Sequence, residues 1–157
     1  RVHWELCRKY NVKVVDKWYE HKPQTTSRSE DGNVIIHWDV PWSTPATAKV
    51  HYYRPDVVVQ NIKEKFWTII DFSIPLDHNI VAKQRWKVDK YQKLAQYFRS
   101  EYNVRTTIIP VVVGAFGSIP VQLPVYLKTL GIPDMIGGLQ KTALLGTQRI
   151  LKNVLSL

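Results

Sequence analysis

Cysteine and long apolar runs are what this 157-residue chain has least of. Its single cysteine, Cys7, excludes an intrachain disulfide framework, so the fold must rest on packing, as in proteins of the reducing nucleus or cytosol. The longest apolar stretches, such as 57–59 and 108–115, fall far short of the roughly 20 residues that span a bilayer. No secretory signal layout stands at the front, and the start at Arg1 leads us to expect a piece of a longer polyprotein.

Acidic residues are also scarce relative to basic ones. The chain has 13 Asp and Glu against 22 Lys and Arg, for a formal net charge of +9. This excess favours a polyanionic partner, because each neutralised phosphate releases counterions and adds affinity whatever the base sequence. Nucleic acid is the leading candidate, although many basic proteins do not bind it.

The hydrophobic pattern predicts a single α/β domain over 1–157. It indicates a helix at 2–10, strand-like composition at 12–18, a polar loop at 24–33 and strands at 34–40, 57–60 and 66–74. A long helix over about 79–103, a buried strand at 106–113 and a helical extension over about 118–157 follow. We expect a mixed central sheet flanked by helices, with extra C-terminal helices.

Two aspartates, Asp56 and Asp71, flank the predicted hairpin. If the hairpin is centred in its polar loop, between Lys63 and Glu64, the two aspartates become direct cross-strand neighbours with Cβ atoms about 5 Å apart. Such carboxylates repel unless they share a proton or a cation, and Mg²⁺ prefers oxygen ligands. The alternative is a register slip of one residue, which would put the aspartates on opposite faces.

Lys87 is the cation of interest on the long helix. It falls about 40° from the centre of the apolar face that contains Tyr91, Leu94 and Phe98, so it points toward the sheet. A buried ammonium is costly unless carboxylates or a substrate phosphate face it. The alternative is a snorkelling side chain with its head in water. Lys90 lies further round, at the flank of the helix.

Three segments form the successive parts of one motif, namely Arg54 to Asp56 before the hairpin, Ile70 to Pro75 at its end, and Lys87 to Tyr91 on the helix. Together they resemble the restriction-like endonuclease of site-specific non-LTR retrotransposons, which belongs to the PD-(D/E)xK nuclease superfamily. Segments 3–10 and 109–117 are similar to it as well, so the resemblance covers most of the chain.

The resemblance implies a PD-(D/E)xK core and a Mg²⁺- or Mn²⁺-dependent enzyme that nicks double-stranded DNA. The released 3′-hydroxyl would prime reverse transcription of the element's RNA by the reverse transcriptase of the parent polyprotein, in the nucleus after translation in the cytoplasm. Asp56 and Asp71 would hold the metal. Because Ser73 stands where the common superfamily pattern has lysine, the catalytic lysine would be Lys87 or Lys90.

Other residues receive secondary roles. Superfamily members often add an acid from the first helix, which points to Glu5, with Glu20 as the fallback, although both also suit a plain surface position. Tyr91 would position the lysine or touch DNA, or it belongs to the core. Phosphate contacts at the mouth of the groove are predicted for the nearby basic residues, namely Arg54, Lys63, Lys65, Lys83 and Arg85.

Several features are assigned to packing. His3, Cys7 and His21 match no zinc-finger or ribbon spacing, so the sequence predicts no zinc site and a core position for Cys7. An apolar stripe in the last helix, with Ile150 and Val154, is predicted to pack on the sheet, or alternatively to dock on the reverse transcriptase.

A rival account makes the chain a catalytically inactive or host-adopted nucleic-acid-binding module on the same fold. Ser73 keeps this rival open, while the presence of both aspartates and Lys87 favours the enzyme. A resolvase-like enzyme on the same fold is a third account, and it would require a dimer.

Overall fold

The computed structural model describes residues 1–45 and 52–155, and within them it has a mixed five-stranded sheet and four α-helices. The helices are α1 (Val2–Lys9), α2 (Ile80–Tyr102), α3 (Leu123–Thr129) and α4 (Met135–Leu155). The strands are β1 (Thr26–Arg28), β2 (Val34–Trp38), β3 (Val57–Asn61), β4 (Phe66–Ser73) and β5 (Arg105–Val112). Single turns of 3-10 helix lie at Trp18–Glu20 and Asp77–Asn79. The predicted α/β class is confirmed.

The sheet has the strand order β1-β2-β3-β4-β5, with antiparallel pairing from β1 to β4. In the hairpin of β3 and β4, Val57 lies opposite Ile70. This is the register expected from the sequence, because one further step along both strands brings Asp56 opposite Asp71. The alternative, a slip of one residue, is therefore wrong.

β5 runs parallel to β4, which makes the sheet mixed. At one end the backbone N–H of Arg105 donates to the carbonyl of Lys65, and at the other end the N–H of Val113 donates to the carbonyl of Ser73. Residue numbers thus rise together along both strands. A parallel pair needs a long crossover, and α2 provides it.

Two compact units are distinguished within the chain, and the first comprises Arg1–Asp71 and Val88–Ile109. Its core joins the hairpin to the second part of α2. The buried members are Val58, Trp67, Ile69, Tyr91, Leu94, Ala95 and Phe98. β-branched and aromatic residues suit a half-buried strand, and the helical members recur every three to four residues, as on one face of a helix. The core explains why α2 lies against the strands that carry the two aspartates.

The second unit comprises Phe72–Lys87 and Pro110–Leu157. Asp77 organises the loop that follows β5, because its carboxylate accepts the backbone N–H of Phe116 at 2.8 Å and both the N–H and the hydroxyl of Ser118. A Cβ on Gly114 would clash with the Asp77 carboxylate, so the loop needs glycine there.

Two expectations from the sequence are wrong. Residues 12–18 form no strand, since Val12 instead donates its N–H to the carbonyl of Cys7 and closes α1. The stripe on α4 is buried only in its first half, where Ala143 is fully covered, whereas Ile150 and Val154 are 65% and 61% exposed. Composition favoured both expectations, but a strand needs a paired neighbour and a stripe needs a surface to cover it. No helix in the described part of the chain is long and apolar enough to cross a membrane.

Candidate functional site

Asp56 is held by its backbone at the start of β3. Its N–H donates to Oδ1 of Asp71 at 3.0 Å, and its carbonyl accepts the N–H of Asp39 at 2.9 Å. Pro55, which is buried, precedes it and suits this place because it has no N–H to pair. Asp56 therefore has a fixed position between β2 and β4, with a half-buried side chain.

Asp71 is a buried carboxylate inside β4. Its side chain is 4% exposed, and the residues before it, Ile69 and Ile70, are fully buried. A buried carboxylate is costly unless hydrogen bonds or a positive charge compensate it. Asp71 accepts hydrogen bonds from the Asp56 N–H and from the Tyr91 hydroxyl, which orient it toward the end of the hairpin.

Tyr91 is the third member of this group and lies on α2, with 1% exposure. Burial raises the pKa of its phenol far above the ordinary value, and the charges of Asp71 and Asp56 and the hydrogen bond to Asp71 raise it further. The phenol is therefore a neutral donor over the physiological pH range. We call Asp56, Asp71 and Tyr91 the carboxylate site.

The carboxylate site concentrates hard oxygen donors at one end of the hairpin. Two carboxylates held side by side are suited to binding a small divalent cation such as Mg²⁺. No third acid joins them within the described residues. One group of at least three His, Cys, Asp or Glu residues has its ligand atoms within 4.8 Å of one another there, and it contains neither Asp56 nor Asp71. Glu5 pairs with Arg1 at 3.7 Å, and Glu20 is exposed.

The two candidate lysines differ in their surroundings. Lys87 is 8% exposed, whereas Lys90 is exposed on α2 with its Nζ 5.3 Å from the ring centre of Tyr91. Lys87 lies in the second unit, where it lines a cavity of about 830 Å³ together with Ser73, Lys83 and Trp86. The burial of Lys87 agrees with the inward direction predicted for it, and both its direction toward the sheet and its catalytic role stay predictions.

The basic residues predicted to contact phosphate lie in several places. Lys63 and Lys65 are exposed in the turn between β3 and β4. At roughly 3.3 Å per residue this turn is about 20 Å from Asp56, at the opposite end of the hairpin. These two lysines therefore do not lie at the mouth of the carboxylate site, contrary to the expectation from the sequence. They could reach only phosphates further along a bound duplex.

Arg54, Lys83 and Arg85 have other surroundings. Arg54 forms an exposed ion pair with Asp39 at 2.8 Å, so part of its charge is already compensated near the start of β3. Lys83 lies over the ring of Trp86, with Nζ 4.3 Å from the ring centre, and Arg85 is exposed. Phosphate contact by these residues stays a prediction.

The structure also brings together His3, Cys7 and His21, which the sequence did not mark as a site. Nδ1 of His3 lies 2.6 Å from Nε2 of His21, and Sγ of Cys7 lies 3.6 Å from the same Nδ1. Burial, together with a smaller contribution from the neighbouring His21, lowers the pKa of His3 to about 4, whereas burial raises the pKa of Cys7 to about 11. We call these three residues the histidine–cysteine cluster.

One signal in the sequence could have indicated this cluster. His3 and Cys7 are four residues apart on α1, so they share one face of the helix. His21 could not be added from spacing, because the chain between Cys7 and His21 has no regular period that would fix its path.

No protein-family model and no curated protein matches this chain. What the chain does must therefore be inferred from its own residues. Of the groups described above, the carboxylate site is the one whose chemistry and position were both indicated by the sequence and whose residues the fold brings together.

Proposed function

We propose that this chain is a metal-dependent DNA endonuclease with a PD-(D/E)xK core, in which Asp56 and Asp71 bind Mg²⁺ or Mn²⁺. The observation that carries the proposal is the pairing of a buried carboxylate, Asp71, with Asp56 across the end of an apolar hairpin. Such a pair is hard to explain by stability alone, because like charges in a partly desolvated place repel.

The residues fit the metal. Asp56 and Asp71 provide hard oxygen ligands, and the Tyr91 hydroxyl orients Asp71 by a hydrogen bond. A bound Mg²⁺ supplies polarisation of a scissile phosphate and help in activating water. The protein's own part is to hold the two carboxylates at fixed positions on neighbouring strands, which lowers the cost of ordering them when the metal binds.

A lysine would stabilise the charge that develops on the phosphate, and we assign this role to Lys87. Its burial supports the choice over Lys90, since a buried ammonium that interacts with an anionic substrate acts in a less screened environment. The assignment comes from the helix signature in the sequence and from burial.

The substrate we propose is double-stranded DNA. The net charge of +9 favours a polyanion, and the resemblance noted in the sequence places such nucleases in non-LTR retrotransposons. In that setting the domain would nick chromosomal DNA in the nucleus, and the 3′-hydroxyl would prime reverse transcription of the element's RNA by a reverse transcriptase of the same polyprotein.

One observation favours a second function, that of a nucleic-acid-binding module without catalysis. Ser73 occupies the position where the common superfamily pattern has its lysine. Its hydroxyl is buried and has no hydrogen-bond partner among the described residues. If no lysine replaces the missing one, the fold and charge would support binding but not cleavage.

Cleavage of supercoiled plasmid in Mg²⁺ or Mn²⁺ separates the two functions. We expect the wild type to convert supercoiled to nicked circles, and Asp71→Asn to reduce the rate by about 100-fold or more, because it removes a charged metal ligand while keeping the shape of the side chain. The matched control is Asp89→Asn, since Asp89 is exposed on α2.

Two outcomes would overturn the proposal. Equal nicking by the wild type and Asp71→Asn would exclude the carboxylate site as its origin. Binding of DNA without metal-dependent nicking, even with the upstream parts of the polyprotein present, would favour the binding module instead.

A further inference from the structure

The histidine–cysteine cluster joins two parts of the first unit that are distant in sequence. His3 and Cys7 are buried on α1, and the less buried His21 follows the 3-10 turn at Trp18–Glu20. All three present a metal-binding atom, and these atoms lie within 4.8 Å of one another. We propose that His3, Cys7 and His21 bind a zinc ion at a second metal site, independent of the carboxylate site.

The distances suit a tetrahedral ion with a small adjustment. With Zn–S near 2.3 Å and Zn–N near 2.0–2.1 Å, a sulfur and a nitrogen ligand stand about 3.6 Å apart. The distance from Cys7 Sγ to His3 Nδ1 is 3.6 Å. Two nitrogen ligands stand about 3.3 Å apart, whereas those of His3 and His21 are 2.6 Å apart. Rotation of the His21 side chain, the least buried of the three, could provide the difference.

The donor set selects the class of metal. Two imidazoles and a thiolate are borderline and soft ligands, which favour zinc over Mg²⁺ or Ca²⁺. Three protein ligands leave a fourth position open. Cys7 and His21 line a cavity of about 580 Å³, together with Glu20 and Ser27, so water can reach this position.

We expect the ion to connect the segment between α1 and β1 to α1. Between α1 and β1 the described chain has one turn of 3-10 helix and no strand. A hydrogen bond from Nε1 of Trp4 to the carbonyl of Val15, at 2.8 Å, already connects this segment to α1. A metal held by His3, Cys7 and His21 would add a second, stronger connection between this segment and α1. Removal of the metal should therefore lower thermal stability.

The rival is a plain hydrogen bond. Two imidazole nitrogens 2.6 Å apart can share one proton if their tautomers differ, with the Cys7 thiol as a packed neighbour. In this case the chain binds no zinc at the cluster, and chelators leave its thermal stability unchanged. Metal content distinguishes the two accounts directly.

The test is the zinc content of the purified full chain, measured by elemental analysis after treatment with EDTA and reloading with zinc alone. We expect about one zinc per chain in the wild type and at least a tenfold loss of affinity in His21→Gln and Cys7→Ser. His37→Gln is the matched control, because His37 is a half-buried histidine of the same unit that bonds to Gln60 instead.

Two further readouts keep the test decisive if a variant folds poorly. Cobalt(II) in place of zinc should give the absorption of a thiolate-bound tetrahedral ion in the wild type and lose its thiolate band in Cys7→Ser. EDTA should lower the unfolding temperature of the wild type but not that of His21→Gln. Absence of bound zinc in the wild type, or equal zinc in wild type and His21→Gln, would overturn the proposal.

The two metal sites can fail separately. Asp71→Asn is expected to keep its zinc, because the carboxylate site shares no ligand with the cluster. Zinc binding without any nicking activity would support the zinc site and contradict the proposed nuclease. Nicking activity without zinc binding would support the nuclease and contradict the zinc site.

Discussion

The carboxylate site and the histidine–cysteine cluster lie in the same compact unit, yet they are built in different ways. Asp56 and Asp71 stand on two paired strands, where the backbone itself fixes their separation. His3, Cys7 and His21 connect a helix to a segment without regular strands, where side-chain contacts bring the metal-binding atoms together. A strand pair can thus prepare a site before any ligand binds, whereas the cluster depends more on what it binds.

The two sites also differ in the chemistry of their donor atoms. Oxygen donors of the carboxylate site suit a hard ion such as Mg²⁺. Nitrogen and sulfur donors of the cluster suit a softer ion such as zinc. Variants that alter one site and leave the other intact therefore separate the two.

Apart from loss of the aspartates, replacing Lys87 should have the largest effect on activity. We expect Lys87→Ala to slow metal-dependent nicking by about 100-fold, because a positive charge that stabilises the developing phosphate charge is lost. Lys90→Ala is the matched comparison on the same helix and should stay within a few-fold of the wild type, since Lys90 is exposed. The reverse ranking of these two variants would move the catalytic role to Lys90.

Tyr91→Phe should weaken the carboxylate site without disturbing the shape of the core. It removes the hydroxyl that donates to Asp71, and a hydrogen bond to a charged group contributes about 1.5–3 kcal/mol. Urea unfolding of the metal-free protein measures the loss, with Tyr19→Phe as the exposed control. An unchanged free energy of unfolding would mean that the phenol does not stabilise Asp71.

The position of Asp71 could be predicted because strand pairing is regular. An apolar hairpin with a polar centre admits few registers, and the observed pairing of Val57 with Ile70 is the one that the loop at Lys63 and Glu64 indicated. The face of α2 that holds Tyr91 and Leu94 followed in the same way from the helical period.

The complete cluster could not be predicted, because no period governs the path of residues 12–24 and the sequence therefore does not place His21 beside His3 and Cys7. The composition of residues 12–18 suggested a strand, but no strand forms there. The exposed half of α4, with Ile150 and Val154, is a similar case: an apolar stripe shows which face a helix would bury, but not whether anything lies against it.

For the histidine–cysteine cluster, we expect Trp4→Phe to weaken slightly the contact between α1 and the segment that carries His21. It removes the hydrogen bond from Nε1 to the carbonyl of Val15, which is expected to cost about 0.5–1.5 kcal/mol in the free energy of unfolding. Zinc affinity should fall with it, because the segment that carries His21 is less well held. Trp86→Phe, at a 50% exposed position, is the control. A fall in nicking without a fall in zinc affinity would contradict the separation of the two sites.

Arg54→Gln is expected to have the smallest effect. The ion pair with Asp39 is exposed, and solvent and salt screen such pairs, so they contribute little to stability. Urea unfolding should therefore change little. The salt dependence of DNA binding, measured by fluorescence anisotropy, would decrease by about one released counterion if Arg54 contacts a phosphate. An unchanged salt dependence would remove Arg54 from the DNA-binding surface.

The most direct test of the central claim is Mn²⁺ binding followed by electron paramagnetic resonance, since it reports on the carboxylate site without requiring cleavage. We predict that the wild type and His21→Gln bind about one Mn²⁺ per chain with similar affinity, while Asp71→Asn loses this binding by at least about tenfold. Mn²⁺ binding that is unaffected by Asp71→Asn would show that Asp56 and Asp71 do not form the metal site and would contradict the account.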